Sequence, residues 1–411
     1  MKSDIDALMQ SRNMDALVII GPAFHNPAMV YLTGGAHVTN GILIKKRGEA
    51  GVLFCGPMER EEAAKSGLEV RLFDIFPFDE LLKQAGGDWL KASVMHNKLI
   101  FESQGLTAGR VALYGLSDAG NTYALYAGLQ EALPGLEIVG EIGDKLLLAA
   151  MATKSREEIE RLRGIGKITT AVVGQVADFL TAHRVKNEVL VKKDGSPLTI
   201  GEVKRQIDLW IVERGAENPE ATIFAIGRDA GIPHSTGNPA DLLRLGQTII
   251  FDIFPCEAGG GYFYDLTRTW CLGYATDQAL VLYEDVNAVY QQMTSELKAG
   301  VPTRYYQERT CEIFHQRGHM TLRENPHAQE GFVHGLGHGV GLNIHENPFF
   351  RITSPETNRL EPNMVVTVEP GLYYPERGLG VRLEDTYWIR PDGAAEVLAE
   401  YSLDLVLPTK K

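Results

Sequence analysis

The stretch His334-Gly-Leu-Gly-His338-Gly-Val-Gly-Leu-Asn-Ile-His345-Glu-Asn-Pro348 places three histidines within twelve positions, separated by four glycines. His334 and His338 are four residues apart, which on a helix would put both imidazoles on one face. Four glycines would, however, destabilise a helix by roughly 3–4 kcal/mol, at about 1 kcal/mol each. We therefore predict an extended or looped segment whose backbone approaches its neighbours closely. The alternative is a glycine-rich turn with incidental histidines.

The composition is that of a globular protein long enough for two or three domains. The chain has 411 residues, of which 44% are hydrophobic and 23% charged, and a formal charge of -13. These values argue against disorder and against a nucleic-acid binder, which needs a basic surface. No run approaches the about 18 apolar residues of a membrane span, and the start does not resemble a signal peptide. We expect a protein that binds neither membrane nor nucleic acid.

The cysteines favour a reducing compartment. They are spread along the chain without the spacing of a metal site: Cys55, Cys256, Cys271 and Cys311. Free thiols of this kind are typical of cytoplasmic proteins. We predict a cytoplasmic location.

The first part of the chain alternates strand and helix patterns. Strands are predicted at 15–20, 41–46, 51–55, 110–114 and 136–139, and a helix at 123–133. Such alternation predicts an α/β domain with a mixed sheet. Ser155-Arg-Glu-Glu158 then has the form of a capping box and opens a long amphipathic helix. We place the domain boundary there, with domains at 1–152 and 153–411.

The second domain carries acids inside apolar strand patterns. These acids are Asp252, Asp265, Glu369 and Glu384, in predicted strands at 248–254, 262–269, 364–371 and 381–389. A single acid of this kind is equally well explained as an edge-strand residue facing water. A buried carboxylate without a partner is costly, however, and only Arg268 and Arg382 lie in these strands to balance four acids. A cation site is the better explanation. Carboxylates with one imidazole suit Mn, Co, Fe or Zn, and this many acids suit two ions about 3.5–4 Å apart.

These residues and their surroundings resemble the pita-bread metallopeptidase family, the fold of methionine aminopeptidase, aminopeptidase P and prolidase. The resemblance rests on Asp252, Asp265, His338, Glu369 and Glu384 in that order, within Asp-Leu-Thr-Arg-Thr269, His-Gly-Leu-Gly-His338, Val-Glu-Pro-Gly371 and Val-Arg-Leu-Glu-Asp385. It implies an α/β (α+β) protein with a creatinase-like N-terminal α/β domain and a pita-bread catalytic domain.

The resemblance also implies the metal ligands. Asp265 and Glu384 would bridge two divalent ions, Asp252 would complete one, and His338 and Glu369 the other. Manganese or cobalt is expected first, with zinc or iron as alternatives. The ions would activate a shared water, and Glu369 would act as the general base.

Further roles surround these ligands. The resemblance implies that His345 stabilises the oxyanion and that His234 is the other substrate-side histidine. His334 would lie behind the metal ligands and Arg382 would orient a ligand carboxylate, and both are expected among the substrate-binding residues together with Arg351. Arg351 would bind the free carboxylate of a dipeptide, for which a fork of donors is well suited. The alternative for Arg351 is an ordinary surface arginine.

The expected activity is hydrolysis of the bond preceding proline in Xaa-Pro dipeptides, by a homodimer acting on small peptides. The alternatives are an Xaa-Pro aminopeptidase for longer peptides, or a metal-dependent small-amide hydrolase or lyase on the same scaffold. One departure from the family is the 13 positions from Asp252 to Asp265 (265 − 252), because related enzymes have a tighter hairpin. The extra residues fall in the turn 257–262. We expect both acids still to face inward.

Overall fold

The computed structural model describes residues 4–143 and 145–410. The chain forms two compact units, one of Met1–Met151 with Gly259–Gly261 and the other of Ala152–Ala258 with Tyr262–Lys411. Three glycines of the long 257–262 turn therefore group with the first unit. In the described residues, no helix has the length and apolar character needed to cross a membrane.

The first unit is built on a six-stranded mixed sheet in the order β4-β3-β2-β1-β5-β6. The strands are β1 (Ala16–Gly21), β2 (Gly41–Lys46), β3 (Val52–Cys55), β4 (Glu69–Leu72), β5 (Ala108–Gly115) and β6 (Gly135–Val139). The helices of this part of the chain are α1 (Ile5–Ser11), α2 (Pro27–Thr33), α3 (Arg60–Ala64), α4 (Phe78–Gln84), α5 (Trp89–Ser103), α6 (Ala119–Ala132) and α7 (Leu146–Ala152). β1 pairs antiparallel with β2 and parallel with β5, which confirms the predicted mixed α/β architecture.

Four long helices belong to the second unit. They are α8 (Arg156–Ala182), α9 (Ile200–Glu213), α10 (Asp277–Glu296) and α11 (Thr303–Gln316). The capping box that opens α8 is present: the Ser155 hydroxyl accepts from the Glu158 amide at 3.3 Å, and the Glu158 carboxylate accepts from the Ser155 amide at 2.5 Å. Because both free amide donors are satisfied, the helix begins where the sequence predicts.

The second unit contains two five-stranded sheets. Its strands are β7 (Arg184–Lys186), β8 (Val189–Val191), β9 (Ala216–Glu217), β10 (Ile223–Ile226), β11 (Leu245–Gly246), β12 (Thr248–Ile253), β13 (Cys256–Glu257), β14 (Leu266–Ala275), β15 (His338–Gly339), β16 (Glu346–Phe349), β17 (Val365–Val368), β18 (Gly371–Tyr374), β19 (Leu379–Arg382), β20 (Asp385–Ile389), β21 (Ala395–Val397) and β22 (Val406–Leu407). One sheet runs β10-β12-β14-β11 with β22 on β14, and the other runs β16-β15-β17-β20-β21.

A backbone bridge joins these two sheets. The Glu384 amide donates to the Thr267 carbonyl at 3.1 Å, and the Thr267 amide donates to the Glu384 carbonyl at 3.4 Å. Thr267 lies in β14 of the first sheet, whereas Glu384 immediately precedes β20 of the second. The bridge therefore places the start of β14 in one sheet beside the start of β20 in the other.

The predicted placement of the acids within strands is correct for Asp252 alone, which lies inside β12. Asp265 precedes β14, Glu369 follows β17, and Glu384 lies between β19 and β20. The single strand predicted over 381–389 is wrong because the chain leaves one pairing and enters another at residues 383–384. Within a strand, successive side chains point to opposite faces of the sheet. Carboxylates at strand ends are not bound by this alternation, so they can converge on one point.

The histidine stretch is extended or looped, as predicted, with His338-Gly339 in β15 and its last three residues in β16. Close approach explains its glycines. A Cβ on Gly337 would lie 2.1 Å from the Thr367 carbonyl oxygen, and one on Gly339 would lie 2.1 Å from that of Asn347. A side chain at either position would push apart the backbones that hold His338.

Candidate metal centre

All ten residues singled out in the sequence line one cavity of about 310 Å³ in the second unit. They are Asp252, Asp265, His338, Glu369, Glu384, His234, His334, His345, Arg351 and Arg382. The longer turn after Asp252 has therefore not separated the two aspartates. The cavity combines an acidic inner end with histidines and an arginine toward the opening.

The inner end is a tight group of donor atoms. Ligand atoms of Asp265, His338 and Glu384 all lie within 4.8 Å of one another. The Nε2 atom of His338 is 3.6 Å from Oδ2 of Asp265 and 3.5 Å from Oε1 of Glu369. Asp252 lines the same cavity, with a side chain that is 11% exposed.

The proton on His338 is directed away from these acids. Its Nδ1 lies 3.0 Å from the Gly339 carbonyl, which only accepts, so the Nδ1 proton is donated there. Burial lowers the pKa of His338 to about 3, with the nearby charge of His345 as the next contribution. The neutral ring consequently presents a bare Nε2 lone pair to two carboxylates. A cation between them would remove this conflict and use the lone pair as a ligand.

The carboxylates are also short of partners. Within the described residues, one buried oxygen on each of three acids has no hydrogen-bond donor: Oδ1 of Asp252, Oδ1 of Asp265 and Oε1 of Glu384. Burial raises the pKa of Asp265 and of Glu384 well above the usual range, and the neighbouring acids add to the effect. Burial likewise raises the pKa of Glu369 to about 8. These oxygens, with the Nε2 atom of His338, fit divalent cations as ligands.

Arg382 orients Asp252 and leaves one of its oxygens available. Its Nη2 donates to Oδ2 of Asp252 at 2.6 Å, and its Nε donates to the Thr267 hydroxyl at 3.2 Å. That hydroxyl in turn donates to Oε2 of Glu384 at 2.7 Å. Each of these two acids therefore has one oxygen held by the protein and one without a donor. Arg382, at 3% exposed, acts through the carboxylates it positions.

Tyr373 is a site residue that the sequence analysis missed. Its hydroxyl accepts from Nη1 of Arg382 at 2.8 Å and lies 2.9 Å from Nε2 of His334. Burial lowers the pKa of His334 to about 3, and its Nδ1 donates to the Gly335 carbonyl at 2.7 Å. Nε2 of His334 is therefore an acceptor, and Tyr373 donates to it. Nothing in the Gly-Leu-Tyr-Tyr374 sequence distinguishes this tyrosine, because its role depends on contacts with His334 and Arg382 in other segments.

The remaining predicted residues lie toward the opening. His345 is exposed, and its ring centroid is 4.3 Å from that of His338. His234 and Arg351 are also exposed. The Arg351 guanidinium stacks 4.3 Å above the Phe349 ring. These three side chains are positioned to meet a molecule that enters the cavity.

A second feature missed from the sequence is a buried ion pair behind His345. The Lys154 ammonium contacts Oε1 of Glu346, and the side chains are 1% and 0% exposed. Glu346 directly follows His345 and pairs with Gly339 across β15 and β16. The pair thus links Lys154, which precedes the Ser155 cap of α8, to the segment that carries His338 and His345. A lone lysine in Met-Ala-Thr-Lys-Ser155 gives no signal of this contact.

The chain is similar to several proteins named Xaa-Pro dipeptidase. It is 30% identical over 242 residues to the Xaa-Pro dipeptidase of Pyrococcus furiosus, covering 59% of this chain and 61% of that protein. It is 25% identical over 390 residues to the Xaa-Pro dipeptidase of Pyrococcus horikoshii, covering 94% and 93%. The solved structure of an Xaa-Pro dipeptidase from Bacillus anthracis matches with a TM-score of 0.74 and 23% identity, covering 98% and 99%. That structure confirms the fold.

Two family models match the two parts of the chain. The model of the creatinase/prolidase N-terminal domain matches residues 3–140. The model of metallopeptidase family M24 matches residues 160–391, more than half of the chain and the whole of the candidate metal centre. The chain therefore belongs to metallopeptidase family M24.

Proposed function

We propose that this protein is a metal-dependent Xaa-Pro dipeptidase, which hydrolyses the peptide bond preceding proline. The observation that carries the proposal is the single cavity in which five ligand candidates meet three histidines and an exposed arginine. The two Pyrococcus relatives named Xaa-Pro dipeptidase support the substrate class. An Xaa-Pro aminopeptidase acting on longer peptides is the second candidate, supported by a fold match to an X-Pro aminopeptidase from Thermotoga maritima with a TM-score of 0.73.

We assign Asp252, Asp265, His338, Glu369 and Glu384 as ligands of two divalent ions, manganese or cobalt, with zinc or iron as alternatives. Asp265, His338 and Glu384 would hold a cation together, since ligand atoms of all three lie within 4.8 Å of one another. When bound, the ions supply a water of lowered pKa and polarise the peptide carbonyl.

The chain's own residues complete the reaction. Glu369 accepts a proton on its carboxylate and passes it to the leaving nitrogen. His345 donates a hydrogen bond to the carbonyl oxygen as that oxygen gains charge. Burial lowers the pKa of His345, so the group that donates this hydrogen bond is a neutral imidazole.

The opening of the cavity suits the two ends of a dipeptide. Arg351 provides a charged fork of donors for the terminal carboxylate. Ile223, Phe254 and Phe349 line the cavity and provide apolar surface for the proline ring. His234 and His334 line the same cavity, and we place them on the substrate side.

We propose domains at 1–152 and 153–411, in agreement with a compact unit that ends at Met151. We also propose a homodimer in the cytoplasm. The cytoplasmic assignment rests on four cysteines that are all free and buried. Burial raises the pKa of the thiols, for example to about 12 for Cys256, which keeps them unreactive.

The test of the function is a panel of substrate lengths with each of Mn, Co and Zn. We expect cleavage of Xaa-Pro dipeptides and little cleavage of longer Xaa-Pro peptides. Cleavage of longer peptides alone would favour the aminopeptidase. Failure on both substrates with every metal would overturn the proposal and leave a small-amide hydrolase or lyase.

Changing His338 to alanine should reduce bound metal from two equivalents to about one per chain. The reason is that His338 supplies the only imidazole in the ligand set, at one of the two positions. Elemental analysis after dialysis measures this ratio, with exposed His327→Ala as the matched control. Unchanged stoichiometry in H338A would contradict the ligand assignment.

Changing Arg351 to alanine should raise KM for dipeptides by about 10–100-fold, because a charge-assisted hydrogen bond contributes roughly 1.5–3 kcal/mol. Longer peptides, whose carboxylate lies elsewhere, should change much less. Steady-state kinetics on both lengths gives the comparison, with exposed Arg323→Ala as control. Equal effects on the two lengths would remove the carboxylate-binding role.

A further inference from the structure

A second, larger cavity of about 710 Å³ lies within the first unit. Ile20 and Gly21, at the carboxyl end of β1, line it, and so does Ser117, just after β5. β1 and β5 are neighbouring parallel strands. The crevice outside the carboxyl ends of such strands is where open α/β sheets commonly bind ligands. The cavity contains none of the residues of the candidate metal centre.

Two buried polar groups in its wall lack partners. Within the described residues, the hydroxyl of Tyr126 and the Oδ1 atom of Asn97 have no hydrogen-bond partner. These side chains are only 4% and 6% exposed, and both line the cavity. Because unsatisfied buried polar groups are destabilising and rare, a ligand that bonds to them explains why they lie here.

One part of the wall is aromatic. The ring of His96 lies 5.8 Å from that of Phe73 and 5.9 Å from that of Phe78, measured between centroids. The three rings together line the cavity. Burial lowers the pKa of His96, so that this ring adds aromatic surface without a positive charge. Such a wall favours a flat or branched apolar group.

The charge of the wall is negative. Asp74 and Asp79 are its two acids, both exposed to solvent, and none of the described residues that line the cavity is Lys or Arg. Negative charge beside aromatic faces favours a cation and disfavours an anion. The partnerless Oδ1 of Asn97 is likewise an acceptor, which matches a ligand rich in donors.

Large apolar side chains are exposed next to the lining residues. Met58, Ile75, Leu116 and Tyr123 are each adjacent in sequence to a lining residue and are 97%, 51%, 56% and 79% exposed. Trp89, at 68% exposed, packs 5.2 Å from the lining Phe78. Apolar surface around a polar-lined cavity is typical of a binding site.

We propose that this cavity binds small primary amines that carry an aromatic or branched apolar group. The ammonium donates to Asp74 or Asp79, to Oδ1 of Asn97 and to the Tyr126 hydroxyl oxygen, and the apolar group packs against Phe73, Phe78 and His96. This site is independent of the proposed peptidase function.

The test uses three probes of similar shape and different charge, with the full chain. Isothermal titration calorimetry should show saturable binding of 2-phenylethylamine, at least tenfold weaker binding of 2-phenylethanol, and no binding of 3-phenylpropanoate. Equal affinity for the amine and the alcohol, or no saturable amine binding, would overturn the proposal.

Variants then locate the site. The double variant Asp74→Asn, Asp79→Asn should weaken amine binding at least tenfold. The control Glu131→Gln changes an exposed acid at the carboxyl end of α6, away from the lining residues at its start, and should not weaken binding. Leu125→Trp, which fills the cavity, should abolish binding while circular dichroism stays unchanged. Amine binding that survives L125W would place the amine elsewhere, including in the catalytic cavity. Peptidase activity retained in L125W distinguishes a failure of this site from a failure of the proposed function.

Discussion

Changing Glu369 to glutamine should lower kcat by about 10²–10⁴-fold, the range that general acid–base catalysis contributes. Glutamine keeps the shape of the side chain but cannot accept a proton. It also replaces an anionic oxygen 3.5 Å from Nε2 of His338 with a weaker ligand. The measurement is kcat for an Xaa-Pro dipeptide at saturating metal, accompanied by metal analysis to separate the loss of the base from the loss of an ion.

The control for this experiment is Glu361→Gln, an exposed acid in the turn before β17. It should keep the kcat of the unchanged protein. The thermal midpoint of E369Q should not fall, because burial already disfavours the charged carboxylate and raises the pKa of Glu369 to about 8 without metal. A kcat of E369Q similar to that of E361Q would show that the base lies elsewhere.

Changing Glu346 to leucine should lower the free energy of unfolding of the second unit by about 3–5 kcal/mol, the effect of leaving a buried charge without its partner. Lys154 and Glu346 are 1% and 0% exposed, so water cannot replace the lost carboxylate. Urea unfolding followed by circular dichroism measures the change. Activity should fall as well, because Glu346 holds the strand next to His345 and pairs with Gly339.

The double variant Lys154→Met, Glu346→Leu separates charge from packing. With both charges removed, most of the lost stability should return. Glu308→Leu provides a matched control, since Glu308 pairs with Arg304 on the exposed face of α11, where the side chains are 42% and 40% exposed. Exposed pairs contribute roughly 0–1 kcal/mol. If E346L were no more destabilising than E308L, the buried pair would have no structural role.

Features that depend on local sequence were predictable. The capping box at Ser155 sets the start of α8, and Thr276 caps α10 by accepting from the Ala279 amide at 3.2 Å. The helix predicted at 123–133 is α6, which begins earlier at Ala119, because Asp118 caps it by accepting from the Asn121 amide. In each case, a side chain satisfies free donors within three residues of itself.

Features that depend on distant segments were not predictable. The strand pattern around Glu384 is continuous in sequence, but the chain changes its pairing partner from β18 to β17 there, and Glu384 itself bridges to Thr267. Tyr373 contacts His334 at a separation of 39 residues and Lys154 contacts Glu346 at a separation of 192, and no local pattern marks either contact. The convergence of the acids could be anticipated because charged residues in apolar strand patterns require partners. Which of their atoms lie next to one another could not be anticipated.

The bridge between Thr267 and Glu384 also has a consequence for synthesis. Ribosomes make the chain from its amino end, so Asp252 and Asp265 emerge well before Glu384. Until the segment around residue 384 has docked beside β14, the aspartates lack one of the carboxylates proposed to join them. A nascent chain is therefore incapable of hydrolysing peptides until the segment around Glu384 has been made and has docked beside β14.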